Sequence, residues 1–239
     1  MVVHVFDTPA QVAQAAAAVI AAQVLQKPDS VLGLATGSTP MDTYRELISL
    51  HRGGVLDFSR VKSYNLDEYV GLPAGHPESY VSFMKRNLFD HINIGSYSLP
   101  DGSARDLQRE CESYEQAIRD DGGIDLQLLG IGNNGHIGFN EPGEAFTYST
   151  NLTTLAQSTI DANKRFFDSI DQVPRQALSM GIGTIMEARS ILLLALGEAK
   201  AQAVYQMIRG PITPRVPASI LRGHARVTVM LDKAAAARL

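Results

Sequence analysis

Short apolar runs alternate with amphipathic stretches along most of the chain. A helical pattern over about 8–26 closes before Pro28 and leads into the apolar run VLGLA (31–35). The alternation then recurs: a helix from Pro40 to about His51, a strand near VKSYNL (61–66) and a helix through 78–92. After the short run SYSLP come a helix over about 104–120, the strand IDLQLLGIG and the glycine-rich GNNGHIGFNEPG. Beyond 150 the pattern loosens. TLAQSTIDANKRFFDS is polar and helical, and QALSMGIG is a candidate strand. SILLLALG (190–197) is a clear buried strand, a helix covers about 198–209, and ARVTVMLD (225–232) closes the set. No repeat, low-complexity tract or long linker divides the chain, so a single domain over 1–239 is expected. Strands buried on both faces and separated by helices predict an α/β fold: an open, mainly parallel, Rossmann-like sheet covered by helices on both faces. Ligands of such sheets sit outside the carboxyl ends of the strands, so the residues that follow each strand carry the functional question.

Composition narrows the classes. The 239 residues are 45% hydrophobic and 19% charged, with a formal net charge of -4. Nucleic acid is not expected as a partner, because phosphate binding leaves a basic footprint. Cys111 is the only cysteine, which points to a reducing compartment and a tolerated helical thiol. MVVHVFDTPAQ lacks the basic start and apolar centre of a signal peptide. VAQAAAAVIAAQVL is short of the roughly 20 apolar residues that a membrane span needs. A cytoplasmic protein without a membrane partner is expected.

Four strand ends carry candidate chemistry. In ATGSTPMDTY, Thr39 suits an N-cap, Pro40 the first helical position, and Asp42 a capping-box-like role. Gly37 would let backbone approach a ligand, and free helix N–H groups favour an anion; the stretch reads equally as an ordinary turn. It is neither a P-loop nor a dinucleotide-binding turn. In YNLDEYVGL, Asp67 and Glu68 read as a solvated turn or cap, or as the seat of a general base. In the glycine-rich loop, Asn134, His136 and Glu141 lie within eight residues, a grouping that favours acid–base work. As a ligand set for a transition metal it is weak, and no metal is expected. In LLLALGEAKAQAV, Lys200 opposes the helix dipole. A bound phosphate would reconcile the two, and a solvated lysine partly offset by Glu198 is the equal alternative. Arg165, on a polar helix, reads by itself as solvated, and the surrounding 146–175 is a candidate for a small, movable helical lid.

Together the stretches TGSTP (36–40), NLDEYVGL (65–72), HPESYVSFM (76–84), GIGNNGHIGFNEPG (130–143), ANKRFFD (162–168), VPRQAL (173–178) and GEAKAQAV (197–204) resemble the glucosamine-6-phosphate deaminase family. They occur in the family's order and cover about 30–230. The resemblance implies conversion of glucosamine 6-phosphate and water to fructose 6-phosphate and ammonia, in amino-sugar catabolism, without metal or organic cofactor. By motif, Asp67 is the base that moves a proton from C2 to C1, and His136 serves ring opening. Glu141 and Asn134 tune and position His136. The phosphate is implied at Thr36, Gly37, Ser38 and Thr39, gripped by Arg165 and Lys200. Some members carry aspartate where this chain has Asn134, which leaves His136 more dependent on Glu141. Longer, allosterically activated hexameric members carry basic residues where Asn151 and Thr153 stand here, and have an extended C-terminus. No activation by N-acetylglucosamine 6-phosphate is therefore expected, and a monomer is favoured over a homo-oligomer. The rivals are a 6-phosphogluconolactonase-like esterase, which needs no base at Asp67, and a sugar-phosphate-binding regulator without catalysis.

Overall fold

In the computed structural model, residues 1–73, 75–164, 167 and 169–239 are described. The elements run β1 (Val2–Phe6), α1 (Pro9–Gln26), β2 (Val31–Leu34), α2 (Met41–Arg52), β3 (Lys62–Asn65), β4 (Asp67–Tyr69), α3 (Tyr80–Asn87), β5 (Ser96–Ser98), α4 (Leu107–Asp120), β6 (Leu126–Leu129), β7 (Asn151–Thr154), α5 (Gln157–Asn163), β8 (Gln176–Ser179), α6 (Ile182–Glu187), β9 (Ile191–Ala195), α7 (Ala201–Arg209) and β10 (Val227–Asp232). Seven strands form the main sheet in the order β1-β10-β9-β6-β2-β3-β5. Every pairing in it is parallel. This is the open α/β sheet that the alternation of strands and helices requires.

The two-residue period of the strands explains why both faces are covered. On β9, Leu192 and Leu194 pack into the core under α1, α2 and α3. Ile191, Leu193 and Ala195 on the same strand pack into the opposite core, with residues of α4, α6 and α7. A strand apolar on both faces cannot stand at a solvated surface, so it draws a helical layer onto each side.

A second sheet was not foreseen from the sequence. It is antiparallel, in the order β4-β8-β7, and pairs Asp67 with Ser179. Beneath it lies a third apolar cluster of Tyr69, Phe139, Leu155, Ile160, Val173 and Ala177. Residues 146–175, expected as a helical lid, therefore contain a strand of this sheet, Asn151–Thr154, and after it the seven-residue α5.

The start of α2 also departs from expectation. Its N-cap is Pro40, which makes no side-chain capping bond. Thr39 does not cap, and Asp42 pairs with Arg45 instead of completing a box. Proline at the boundary shifts the cap position by one residue, so the first N–H groups of the helix keep no capping side chain.

Candidate active site

Strands β9, β6, β2 and β3 are consecutive, parallel neighbours. Their carboxyl ends therefore share one edge of the sheet, and there the Lys200 turn, the glycine-rich loop, the TGSTP turn and the Asp67–Glu68 pair converge. The neighbouring strand order does what sequence distance conceals.

Asp67 and Glu68 are both buried, each 6% exposed, but they meet different fates. The Glu68 carboxylate accepts backbone N–H groups from Tyr69, Tyr80 and Val81, each at 2.9 Å. The last two belong to the first turn of α3, so Glu68 sits at the positive end of that helix and offsets its unpaired donors. Burial pushes its carboxyl up while the three N–H groups pull it back. Asp67 accepts no hydrogen bond among the described residues. Burial, and then the charge of Glu68, push its carboxyl from 3.8 to about 8. A carboxylate with no donors and a basicity near neutrality is equipped to take a proton. Glu68, buried instead of solvated, is thus taken up by the start of α3, whose N-cap is Ser79, and the base reading fits Asp67.

The glycine-rich loop folds around His136. Its Nδ1 lies 3.2 Å from Glu141 Oε2, an ion-pair approach that is off the line of a hydrogen bond. Asn134 Nδ2 donates to the same Oε2 at 2.7 Å, and Asn134 Oδ1 accepts the His136 backbone N–H at 3.2 Å. Asn134 thus holds Glu141 and the loop. Thr159 Oγ1 donates to Glu141 Oε1 at 2.5 Å. Burial would raise the Glu141 carboxyl, but His136, Thr159 and Asn134 outweigh it and bring it down to about 2. It stays ionised, ready to support a charged imidazole. Glycine at 132 is a steric need: a Cβ there would stand 2.3 to 2.5 Å from the His136 ring atoms.

The small sheet ties this loop to the base. Ser179, the strand partner of Asp67, accepts the Phe139 N–H on its Oγ at 3.0 Å. Asn140 Nδ2 donates to the carbonyls of Ile137 and Met180, both at 2.9 Å. Gly138, at φ +56, places its Cβ direction 3.8 Å from Asp67 Oδ2. Tyr80 joins the TGSTP turn to the same group through hydrogen bonds with Thr36 and Tyr69.

The rest of that turn, Gly37 at φ +92, Ser38 and Thr39, leaves the sheet partly open to solvent. Lys200 ends a 3-10 turn, Glu198–Lys200, and caps α7 instead of lying inside its first turn. It pairs with no carboxylate among the described residues, and burial lowers its amine. Arg165 lies outside the described residues. Thr159 and Ser179 carry no signature in the sequence, because their roles come from strands and helices meeting at long range.

The profile of the glucosamine-6-phosphate isomerases/6-phosphogluconolactonase family matches residues 7–230. Glucosamine-6-phosphate deaminase of Halothermothrix orenii is 52% identical over 231 residues, covering 96% of each chain. A solved monomeric glucosamine-6-phosphate deaminase superposes with a TM-score of 0.96 at 47% identity, over the whole of both chains. The solved 6-phosphogluconolactonase of Trypanosoma brucei shares the fold, with a TM-score of 0.76 at 21% identity over 100% of this chain and 98% of the other.

Proposed function

The chain belongs to the glucosamine-6-phosphate isomerase/6-phosphogluconolactonase family, and on that premise we propose that it deaminates glucosamine 6-phosphate to fructose 6-phosphate and ammonia. The observation that carries the reading is a buried carboxylate, Asp67, that accepts no hydrogen bond among the described residues and stands at the same sheet edge as the His136–Glu141 pair. A lactonase reaction has no use for such a base.

The residues divide the chemistry in sequence. His136 takes the proton of the anomeric hydroxyl and delivers it to the ring oxygen. The C1–O5 bond breaks and an aldehyde forms. Glu141 supports the imidazolium between the two transfers. Asp67 then takes the proton from C2 while the aldehyde oxygen takes one from the substrate's C2 ammonium, giving an enolamine, and Asp67 returns its proton to C1. Water adds at C2 of the resulting imine and ammonia leaves, so the ketose remains. The uncapped start of α2 with Thr36, Gly37, Ser38 and Thr39 receives the phosphate, because free helix N–H groups favour an anion. Lys200, without a protein partner in the described structure, supplies the countercharge, and Arg165 joins it from the segment 146–175, which closes over the sugar.

The reading includes monomeric, cytoplasmic working without metal or organic cofactor, and no activation by N-acetylglucosamine 6-phosphate, since Asn151 and Thr153 offer no charge to a second phosphate. Equal release of ammonia and fructose 6-phosphate from glucosamine 6-phosphate, with 6-phosphogluconolactone as a parallel substrate, tests it. Hydrolysis of the lactone with no ammonia from the amino sugar would move the chain to the sister activity.

A further inference from the structure

Thr159 belongs to none of the motifs, yet it touches the group that supports His136. It is the third residue of α5 and only 8% exposed. Its hydroxyl donates out of the helix to Glu141 Oε1 at 2.5 Å. The other oxygen, Oε2, is the one shared by Asn134 Nδ2 at 2.7 Å and His136 Nδ1 at 3.2 Å. We propose that Thr159 is a positioning residue for ring opening: it fixes the plane of the Glu141 carboxylate and so ties the His136–Glu141 pair to the seating of α5.

The geometry makes the two anchors complementary. A glutamate carboxylate turns easily about its last torsion. Anchored through Oε2 alone it would still swing about that contact. A second donor on Oε1 removes the freedom, and hydroxyl-to-carboxylate bonds are among the stronger ones. The seating of α5 is in turn set by packing. Its N-cap, Ala156, makes no side-chain capping bond. The helix is held by Ile160 and the preceding Leu155, which lie in one apolar cluster with Tyr69 and Phe139. Tyr69 lies on the strand of the base, and Phe139 on the loop of His136. Displacement of α5 therefore moves the Thr159 hydroxyl off the carboxylate while the Asn134 contact stays in place.

This inference rests on the proposed function, and its test separates the two. Thr159→Val keeps the shape and removes the donor; Thr159→Ser keeps the donor. With glucosamine 6-phosphate, Thr159→Val is expected to lower kcat about tenfold, in line with losing a hydrogen bond to a charged group, with KM changed by no more than about twofold. Thr159→Ser is expected to stay within about threefold of the parent kcat. Ile160→Ala, which loosens α5 and leaves the hydroxyl, should reproduce the kcat loss, and combining it with Thr159→Val should add little, because both act through one contact. Should Thr159→Val not fold, Thr159→Ala is read in the same way. An active parent whose Thr159→Val and Thr159→Ala forms keep its kcat, or whose Thr159→Ser form loses as much as Thr159→Val, overturns the inference alone. A parent that releases no ammonia overturns the proposed function, and this inference with it.

Discussion

Asp67 and Glu68 are consecutive residues of one three-residue strand, equally buried, yet Glu68 accepts three backbone N–H groups and Asp67 accepts none among the described residues. The difference divides labour between two chemically similar groups. Glu68 spends its charge on the start of α3, and the same charge, held next to Asp67, makes Asp67 a stronger base.

That relationship is open to titration. Glu68→Gln removes the charge, so the Asp67 carboxyl should drop below its present value of about 8. A base works when deprotonated, so kcat/KM should rise with pH through that region in the parent and reach its plateau at lower pH in the variant. Carboxyl NMR of the free protein follows Asp67 without interference from the substrate amine. An unmoved titration would show that burial alone sets its basicity.

Gly132→Ala probes the fit of the imidazole. The new methyl would lie within 2.5 Å of three ring atoms of His136, so the ring must leave its place by Glu141. Turnover is expected to fall by roughly 10²-fold or more, the usual share of a general acid–base group, with the melting temperature little changed because the ring can swing toward solvent. Normal turnover in a folded Gly132→Ala protein would show that His136 need not sit where it does.

Lys200→Ala tests the phosphate assignment. A contact remote from the reacting carbons contributes mostly uniform binding, so KM should rise about tenfold or more while kcat changes by less than about threefold. Inhibition by inorganic phosphate should weaken in parallel. A lowered kcat at saturating substrate, with KM unchanged, would place Lys200 in the chemistry instead.

The centre of the main sheet was legible where its strands are short apolar runs such as Ile191–Ala195, set between helices. The His136 loop was legible because chemistry and glycines are crowded into one stretch. The small sheet was not. Asp67–Tyr69 and Asn151–Thr154 are short and polar, and each finds its partner β8 only across long range. β1 was missed for a related reason: it is an edge strand, and Val2 and Val5 remain exposed. The acidic pair could not be resolved from sequence because two of the three donors to Glu68, Tyr80 and Val81, belong to α3, 12 and 13 residues further along the chain in a different element. Thr39 looked like a cap by residue type, but Pro40 took the boundary position.

The central claim is that Asp67 carries the proton between C2 and C1, and the turnover of Asp67→Asn at saturating glucosamine 6-phosphate tests it most directly, with inorganic phosphate affinity measured on the same sample. The account predicts phosphate binding near that of the parent and a kcat lower by roughly 10²–10⁴-fold. An Asp67→Asn protein that binds phosphate and keeps most of its turnover would contradict it.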